Sequence, residues 1–387
     1  MKNIDSNIIA MGWVSFFTDM ASSMVTTLLP VFVVYVLNEN VEKLGYVIAI
    51  ATFISYALRI VFGFLSDYYA VVKPFVVIGY AISAVTKPLL GFAHSYTDVA
   101  LLRSLERVGK AVRSASKDAL ISKYSKQNSQ GKSFGFHKMM DVSGEMLGSV
   151  IILLLFLFTS LKDAVLIRHI FEWTLLPGLM ALLILIFFVK DIPKRVKKRS
   201  FVVVKEDFRL LWLLGSYFFF LLFFMSDQYF ILYAKERGMT LVEIPMLVII
   251  STATQAFLSY FSGVLIDRFG SKLLLLIAFS FGLFSLLGLK YGWIWIAFIF
   301  FGVFNVIALN ALRTYISRNA HSQAFVFGLF YGGIAIFSAL GALIVGFVWQ
   351  RYSFENAINL SLIGSIVVMI SVALILMVNY QKKKLSS

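Results

Sequence analysis

The sequence contains no cysteine, and charged residues make up only 14% of its 387 residues. The absence of cysteine excludes disulfides and thiolate metal sites, and it leaves the redox compartment undetermined. The chain also has no Gly-x-x-x-x-Gly-Lys-Ser/Thr loop, which argues against ATP hydrolysis, and no evident pair of nucleophile and base. We therefore predict no enzymatic activity, no cofactor and no resident metal.

Hydrophobic residues make up 60% of the chain, and the mean hydropathy is +0.86. Apolar runs of about 18 or more residues recur from end to end, and each is long enough to cross about 30 Å of hydrocarbon. Backbone amides in lipid must pair within their own segment, and the runs lack the two-residue alternation of barrel strands. The sequence therefore predicts an all-α integral membrane protein.

The apolar runs predict twelve membrane spans, numbered here in chain order. They lie near 8–37, 44–64, 73–93, 97–118, 133–159, 170–190, 208–234, 242–266, 272–289, 293–316, 323–349 and 355–380. Spans 4, 5 and 10 carry internal charge, so ten or eleven is the nearest alternative count.

The 35 lysines and arginines fall mostly in the loops and tails on one side of these spans. Such residues accumulate in cytoplasmic loops, so we predict a multi-pass protein of the inner (plasma) membrane with both termini cytoplasmic. Anionic lipid headgroups then explain the net charge of +15 without nucleic acid. We expect membrane lipids as partners, no nucleic-acid partner, and a monomer.

Two halves of the chain share short motifs. "GFLSD" at 63–67 matches "GVLID" at 263–267, and "FFTD" ending at Asp19 matches "FFMSD" ending at Asp227. Internal repeats of this kind are typical of secondary transporters. The polar run "KDIPKRVKKRS" separates the halves, and we predict pseudo-twofold symmetry between them. The predicted domains are a six-helix half at 1–190, a cytoplasmic linker at 191–207 and a six-helix half at 208–387.

The loop after span 8, "GVLIDRFGSK", carries the pattern Gly-x-x-x-Asp-Arg-x-Gly-Lys, and the loop after span 2 keeps Gly63 and Asp67 of it. On these motifs the chain resembles a major facilitator superfamily transporter over essentially its whole length. The resemblance implies gating at the cytoplasmic end, where we expect Asp67 to pair with Arg113 and Asp267 with Arg313. The predicted gating residues are Gly63, Asp67, Arg113, Gly263, Asp267, Arg268 and Arg313.

Span 4 is similar to the Arg-x-x-Gln-Gly-x-Gly element of proton-coupled drug exporters. Arg103 and Gly109 match that element, whereas Glu106 and Arg107 replace its glutamine and first glycine. The resemblance implies a secondary transporter that works by alternating access, and it favours export.

The charged residues of span 4 share one face of the helix, an arc of about 120°. A charge at mid-bilayer costs at least about 2.5 kcal/mol, so this face must line protein or water. On span 5, His137, Lys138, Asp141 and Glu145 share a similar arc. The predicted cavity residues are Asp19, Arg103, Glu106, Arg107, Lys110, His137, Asp141 and Glu145. Alternatively, these charges only form interhelical ion pairs, such as Asp141 with Arg113 or Arg107.

Two repeat-related acids receive different predictions. Asp19 lies beside the arginines of span 4, and three roles stay open for it: proton carriage, structural pairing, and direct contact with the cargo. Asp227 has no basic neighbour in its span, so it is the preferred proton-coupling site. Lys87 is expected to extend outward to the headgroups.

The leading functional hypothesis is a proton-coupled transporter of a small anionic or amphiphilic organic solute. A second hypothesis is transport of a metal ion or metal chelate, with carboxylates and His137 as ligands. A third, from another class, is a membrane receptor or scaffold that transports nothing.

Overall fold

The computed structural model describes residues 5–68, 72–125, 130–159, 163–191, 205–321 and 323–385. These ranges form helices with short connections and contain no strand. The helices of the first part of the chain are α1 Ser6–Val31, α2 Val41–Tyr68, α3 Lys73–Leu89, α4 Tyr96–Tyr124, α5 Gln130–Phe158, α6 Asp163–Trp173 and α7 Leu175–Phe188. Those of the second part are α8 Leu211–Phe223, α9 Asp227–Glu236, α10 Glu243–Phe269, α11 Ser271–Lys290, α12 Ile294–Asn319, α13 Gln323–Arg351 and α14 Phe354–Leu385.

Local chemistry explains where several helices begin. Asp5 caps α1 by accepting from the Asn7 amide at 2.8 Å. The charged helix α4 begins with a capping box, in which Ser95 and Asp98 exchange hydrogen bonds between side chain and backbone. Gly270, at φ 83°, is the single residue between α10 and α11, which explains the second glycine of the span 8 motif.

Predicted spans 6 and 7 are each divided into two helices. Span 6 comprises α6 and α7, with the break at Thr174. Span 7 comprises α8 and α9, separated by Phe224, Met225 and Ser226. Ser226 accepts a hydrogen bond from the Gln228 amide at 3.2 Å, so it starts a new helix instead of continuing the old one.

Eleven helical segments of the described residues are long and apolar enough to cross a membrane. The remaining predicted span is α4, which has 29 residues but too many charged side chains to qualify by composition. The all-α fold class predicted from the sequence is confirmed, and the charge of α4 explains the difference between eleven and twelve.

The described residues fall into two compact units. The first comprises Met1–Arg199 with Gly238–Ile249, and the second comprises Ser200–Arg237 with Ile250–Ser387. Within the first, α1 packs on α5, α2 on α4, and α3 on α7. Within the second, α8 packs on α13 and α11 on α14. The backbone of α10 approaches Gly302 of α12, so the second unit repeats the helix pairings of the first.

The apolar core of the first unit lies where α1, α3, α4 and α7 meet. It includes Met11, Val14, Val76, Leu120 and Leu185, each at most 1% exposed. In the second unit, Phe220 stacks on Phe279 at 4.2 Å between ring centroids. Aromatic residues there serve packing.

Candidate functional site

Helices α1 and α5 approach each other closely along a row of small residues. A Cβ at Gly144 would overlap the carbonyl oxygen of Phe16, and a Cβ at Gly148 would overlap that of Met20. The hydroxyls of Ser23 and Ser149 lie 2.8 Å apart across the same interface. Small residues allow this backbone approach in membrane helices, and here they place polar groups of α1 directly against those of α5.

A chain of three polar side chains in contact crosses that interface. Ser15 Oγ lies 2.8 Å from His137 Nε2, and His137 Nδ1 lies 3.3 Å from Asp141 Oδ1. The prediction that Asp141 pairs with Arg113 or Arg107 is wrong, because its partner is one turn away on its own helix. In the neutral tautomer that carries its proton on Nδ1, His137 would donate to Asp141 through Nδ1 and accept from the Ser15 hydroxyl at Nε2.

A cavity of ≈ 250 Å³ lies in the first unit among α1, α2, α3, α4 and α5. Four of the predicted cavity residues line it, namely Asp19, Lys110, Asp141 and Glu145, as does the predicted gating residue Arg113. The remaining lining residues are Ser15, Thr18, Arg59, Tyr80, Ser114, Lys117, Asp118 and Lys138. The wall therefore carries five basic and four acidic side chains.

Lys117 and Arg59 are cavity residues that the sequence analysis did not include in its predicted site. A signal for Lys117 existed, because it follows Arg113 by four residues on the charged face of α4. Arg59 gave no such signal, since it is a single charge in an otherwise apolar span.

Arg113 is held by α3. Its guanidinium donates to Ser83 Oγ at 2.5 Å and to the Gly79 carbonyl at 3.4 Å. It also lies 4.3 Å from the centroid of the Tyr80 ring. Its predicted partner, the side chain of Asp67, lies outside the described residues.

Three predicted cavity residues form a separate buried cluster in the described part of the chain. Glu106 Oε2 lies 2.7 Å from Arg103 Nη1 and 3.6 Å from Arg107 Nε. Glu106 is 1% exposed and Arg103 is 3% exposed. Burial of a charge requires close partners of this kind, because the surroundings cannot solvate it.

Lys87 belongs to the same buried region, although it was predicted to reach the headgroups. It is 1% exposed, and its Nζ donates to the Thr18 carbonyl at 3.1 Å. Glu106 is the nearby carboxylate with the largest attraction for its charge. The outward prediction is wrong because a countercharge and a backbone acceptor inside the protein replace water.

In the second unit, Asp227 is the first residue of α9 and its side chain is exposed. The repeat-related acids therefore differ, since Asp19 lies within the continuous helix α1. Asp267 pairs with Arg318 at 2.5 Å. The predicted pair of Asp267 with Arg313 is therefore wrong. Arg313 and Arg318 are five residues apart, so they point about 140° apart around α12.

The remaining gating predictions, Gly63, Gly263 and Arg268, lie on helices that end at the loops of the repeated motif. Gly63 is in α2, and Gly263 and Arg268 are in α10, where Arg268 lies 5.1 Å from the Phe269 ring centroid. No group of three or more His, Asp or Glu side chains among the described residues is arranged to hold a metal ion. The metal hypothesis therefore has no ligand set there.

The model of the Major Facilitator Superfamily matches residues 11–342 of the chain. The chain belongs to this superfamily. Its members have twelve helices in two halves, which identifies α4 as a true span. The protein is therefore a membrane transporter that works by alternating access, and not an enzyme.

A relative at the sequence level is an uncharacterized MFS-type transporter of Methanocaldococcus jannaschii. It is 28% identical over 374 residues, which cover 90% of each chain. The likeness extends over both halves, so it concerns the complete transporter fold.

Two solved structures share the fold at low sequence identity. The nucleoside transporter NupG has a TM-score of 0.76 at 14% identity, covering 95% of this chain and 98% of that one. A bacterial homolog of the human lysosomal transporter Spinster has a TM-score of 0.72 at 14% identity, covering 97% and 96%. These likenesses describe the fold alone.

Proposed function

We propose that the protein exports a small anionic or amphiphilic organic solute in exchange for protons. The observation that supports this most directly is the cavity of the first unit, whose wall carries more basic than acidic side chains. Anions are attracted to such a wall, and a site of this kind is a common construction for solute binding in transporters. The resemblance of span 4 to proton-coupled exporters supports the direction.

Three of the five basic side chains of the cavity wall come from one helix. Lys110, Arg113 and Lys117 line it from α4, and their spacing of three, four and seven residues places them on one face. Arg113 is hydrogen-bonded to α3, so Lys110 and Lys117 are the α4 cations that we expect to contact a solute. Carboxylate and sulfonate groups are the anions that such ammonium groups hold well.

The experiment uses purified protein in proteoliposomes that enclose a pH-sensitive dye. A panel of aryl and alkyl carboxylates is added, and proton movement is recorded for each. At least one carboxylate should move protons with the wild type, and the double variant K110M/K117M should reduce this movement about tenfold or more. The matched control is Lys43→Met, which removes a lysine that lies outside the cavity, 4.2 Å from the Tyr96 ring centroid. Proton movement with none of the carboxylates would contradict the proposal.

Proton coupling is assigned to Asp227, with Asp19 as the second candidate. Asp227→Asn should stop accumulation driven by a pH gradient while sparing solute-for-solute exchange, because the amide mimics the protonated acid. Asp19→Asn should impair both modes, because it leaves the lysines of α4 without a nearby carboxylate on α1. If Asp227→Asn accumulates solute against a gradient as the wild type does, Asp227 is not the coupling site.

A further inference from the structure

We propose that the cavity of the first unit selects a small zwitterion, a solute that carries both an ammonium and a carboxylate group. This inference rests on the proposed transport function and adds an ammonium group to the anionic solute. It follows from how the opposite charges are distributed over the wall of the cavity.

Three of the four acids of the wall come from α1 and α5, namely Asp19, Asp141 and Glu145, and the fourth is Asp118 of α4. Asp19 and Asp141 therefore face the same cavity from two helices that are in close contact. His137 contacts Asp141 at 3.3 Å, and the close contact of Gly144 with α1 fixes the position of α5 relative to α1. Two carboxylates fixed beside each other attract a cationic group more strongly than either does alone.

Three of the five basic residues of the wall come from α4, and the other two are Arg59 of α2 and Lys138 of α5. Lys110 and Lys117 are two turns apart on the face of α4 that lines the cavity together with Asp19. Arg113 lies between them in sequence, but its guanidinium donates hydrogen bonds to Ser83 and Gly79. The two lysines therefore present ammonium groups to any solute in the cavity.

In the described part of the chain, Asp19 lines the same cavity as Lys110 and Lys117 but forms no direct ion pair with either lysine. No ion pair within 4.0 Å joins Asp19, Lys110 or Lys117 to another side chain that the structure describes. A solute with one charge would leave either the carboxylates or the lysines of the cavity without an opposite charge. A zwitterion would supply an opposite charge to both sets, because its ammonium group faces the carboxylates and its carboxylate faces the lysines.

The size of the cavity limits the solute. Its volume of ≈ 250 Å³ lies below the range of about 300–1,000 Å³ for pockets that hold drug-sized ligands. A short aminocarboxylate fits this space and carries the two charges close together.

The experiment measures thermal stabilisation of the purified full-length protein, because a ligand of the folded state raises its Tm. The zwitterionic probes are the ω-aminocarboxylates from glycine to 6-aminohexanoate. Each is compared with the carboxylate and the amine of the same chain length. At least one zwitterion should bind about tenfold more tightly than both of its matched single-charge analogues.

Variants assign the two charges to the two parts of the wall. Asp141→Asn should remove the advantage of the zwitterion over the matched carboxylate, since the ammonium group loses its partner. The double variant K110M/K117M should remove the advantage over the matched amine. Lys43→Met should leave both advantages unchanged, and circular dichroism of each variant checks that it is folded.

Three results would overturn the inference. Equal stabilisation by a matched carboxylate would do so while leaving the proposed export of organic anions in place. A zwitterion preference that survives both cavity variants would move the site elsewhere. Stabilisation by none of the zwitterions would exclude this solute class, whereas the proposed function is judged separately by proton movement with carboxylates.

Discussion

Glu106 is the buried carboxylate on which three cations depend. Arg103 and Arg107 lie within 4.0 Å of it, and Lys87 is attracted to it from α3. Among the described residues, Glu106 is thus the carboxylate shared by three basic side chains, of which Arg103 and Lys87 are buried and Arg107 is partly exposed. Such an arrangement is sensitive to the loss of the single acid and tolerant of the loss of one cation.

We expect Glu106→Gln to lower the free energy of unfolding by about 3–5 kcal/mol, because it leaves buried cations without a countercharge. Lys87→Met should change it by about 1 kcal/mol or less, because a neutral side chain of similar length relieves repulsion from the two arginines. Denaturant unfolding of the purified protein in detergent measures both values.

The matched control is Glu42→Gln, which alters a partly exposed glutamate that accepts from Tyr46 at 2.9 Å. It should leave the free energy of unfolding within about 0.5 kcal/mol of the wild type. A larger loss from Lys87→Met than from Glu106→Gln would show that Lys87, and not Glu106, holds the cluster together.

At the scale of helices, the contact between α1 and α5 positions the site. Ser15 and Asp19 come from α1, whereas His137 and Asp141 come from α5. The same contact recurs in the second unit, where Gly341 of α13 lies against the backbone of α8. The chain therefore repeats one close helix contact in both units, at glycines 193 residues apart in sequence.

Gly144→Ala should destabilise the protein by about 1–3 kcal/mol, because the added methyl group would overlap the Phe16 carbonyl and push the helices apart. Gly215→Ala is the control, since nothing lies within 4 Å of a Cβ at that position of α8. It should be neutral or stabilising by up to about 1 kcal/mol, as alanine favours helices.

Thermal unfolding of the two glycine variants in the same detergent measures this difference. If both substitutions lower the Tm equally, the close contact of α1 with α5 does not limit stability. The Ser15–His137 hydrogen bond provides a second readout, because separation of the helices would also break it.

On the scale of the whole molecule, the orientation in the membrane is still a prediction, and the absence of cysteine makes it directly testable. Single cysteines can be introduced without a background of native thiols. Asp267→Cys and His321→Cys should be protected from a membrane-impermeant thiol reagent in intact cells, because both positions are predicted to be cytoplasmic. Asn40→Cys and Gly292→Cys, in predicted outer loops, should react. Labelling of position 267 from outside would reverse the orientation.

The sequence by itself determined the environment, the fold class and the family of this protein. Hydrocarbon of fixed thickness imposes the length and apolarity of each span, so these properties are visible without a structure. The span 8 motif indicated the family, because Asp267, Arg268 and Gly270 lie close together in the sequence and can be recognised without a structure. The buried face of α4 followed from helical periodicity, since a charged arc cannot face lipid.

Only the tertiary structure decided which charges meet. Ser15 and His137 are 122 residues apart, and no local pattern predicts a hydrogen bond over that separation. The partner of Asp267, the outward direction of Lys87 and the alternative pairing of Asp141 with Arg113 or Arg107 were wrong, because pairing depends on the rotation and depth of neighbouring helices. Because the spans are similarly apolar, the sequence does not determine the rotation and depth of each helix. Close contacts such as that of Gly144 with Phe16 fix them in the folded protein.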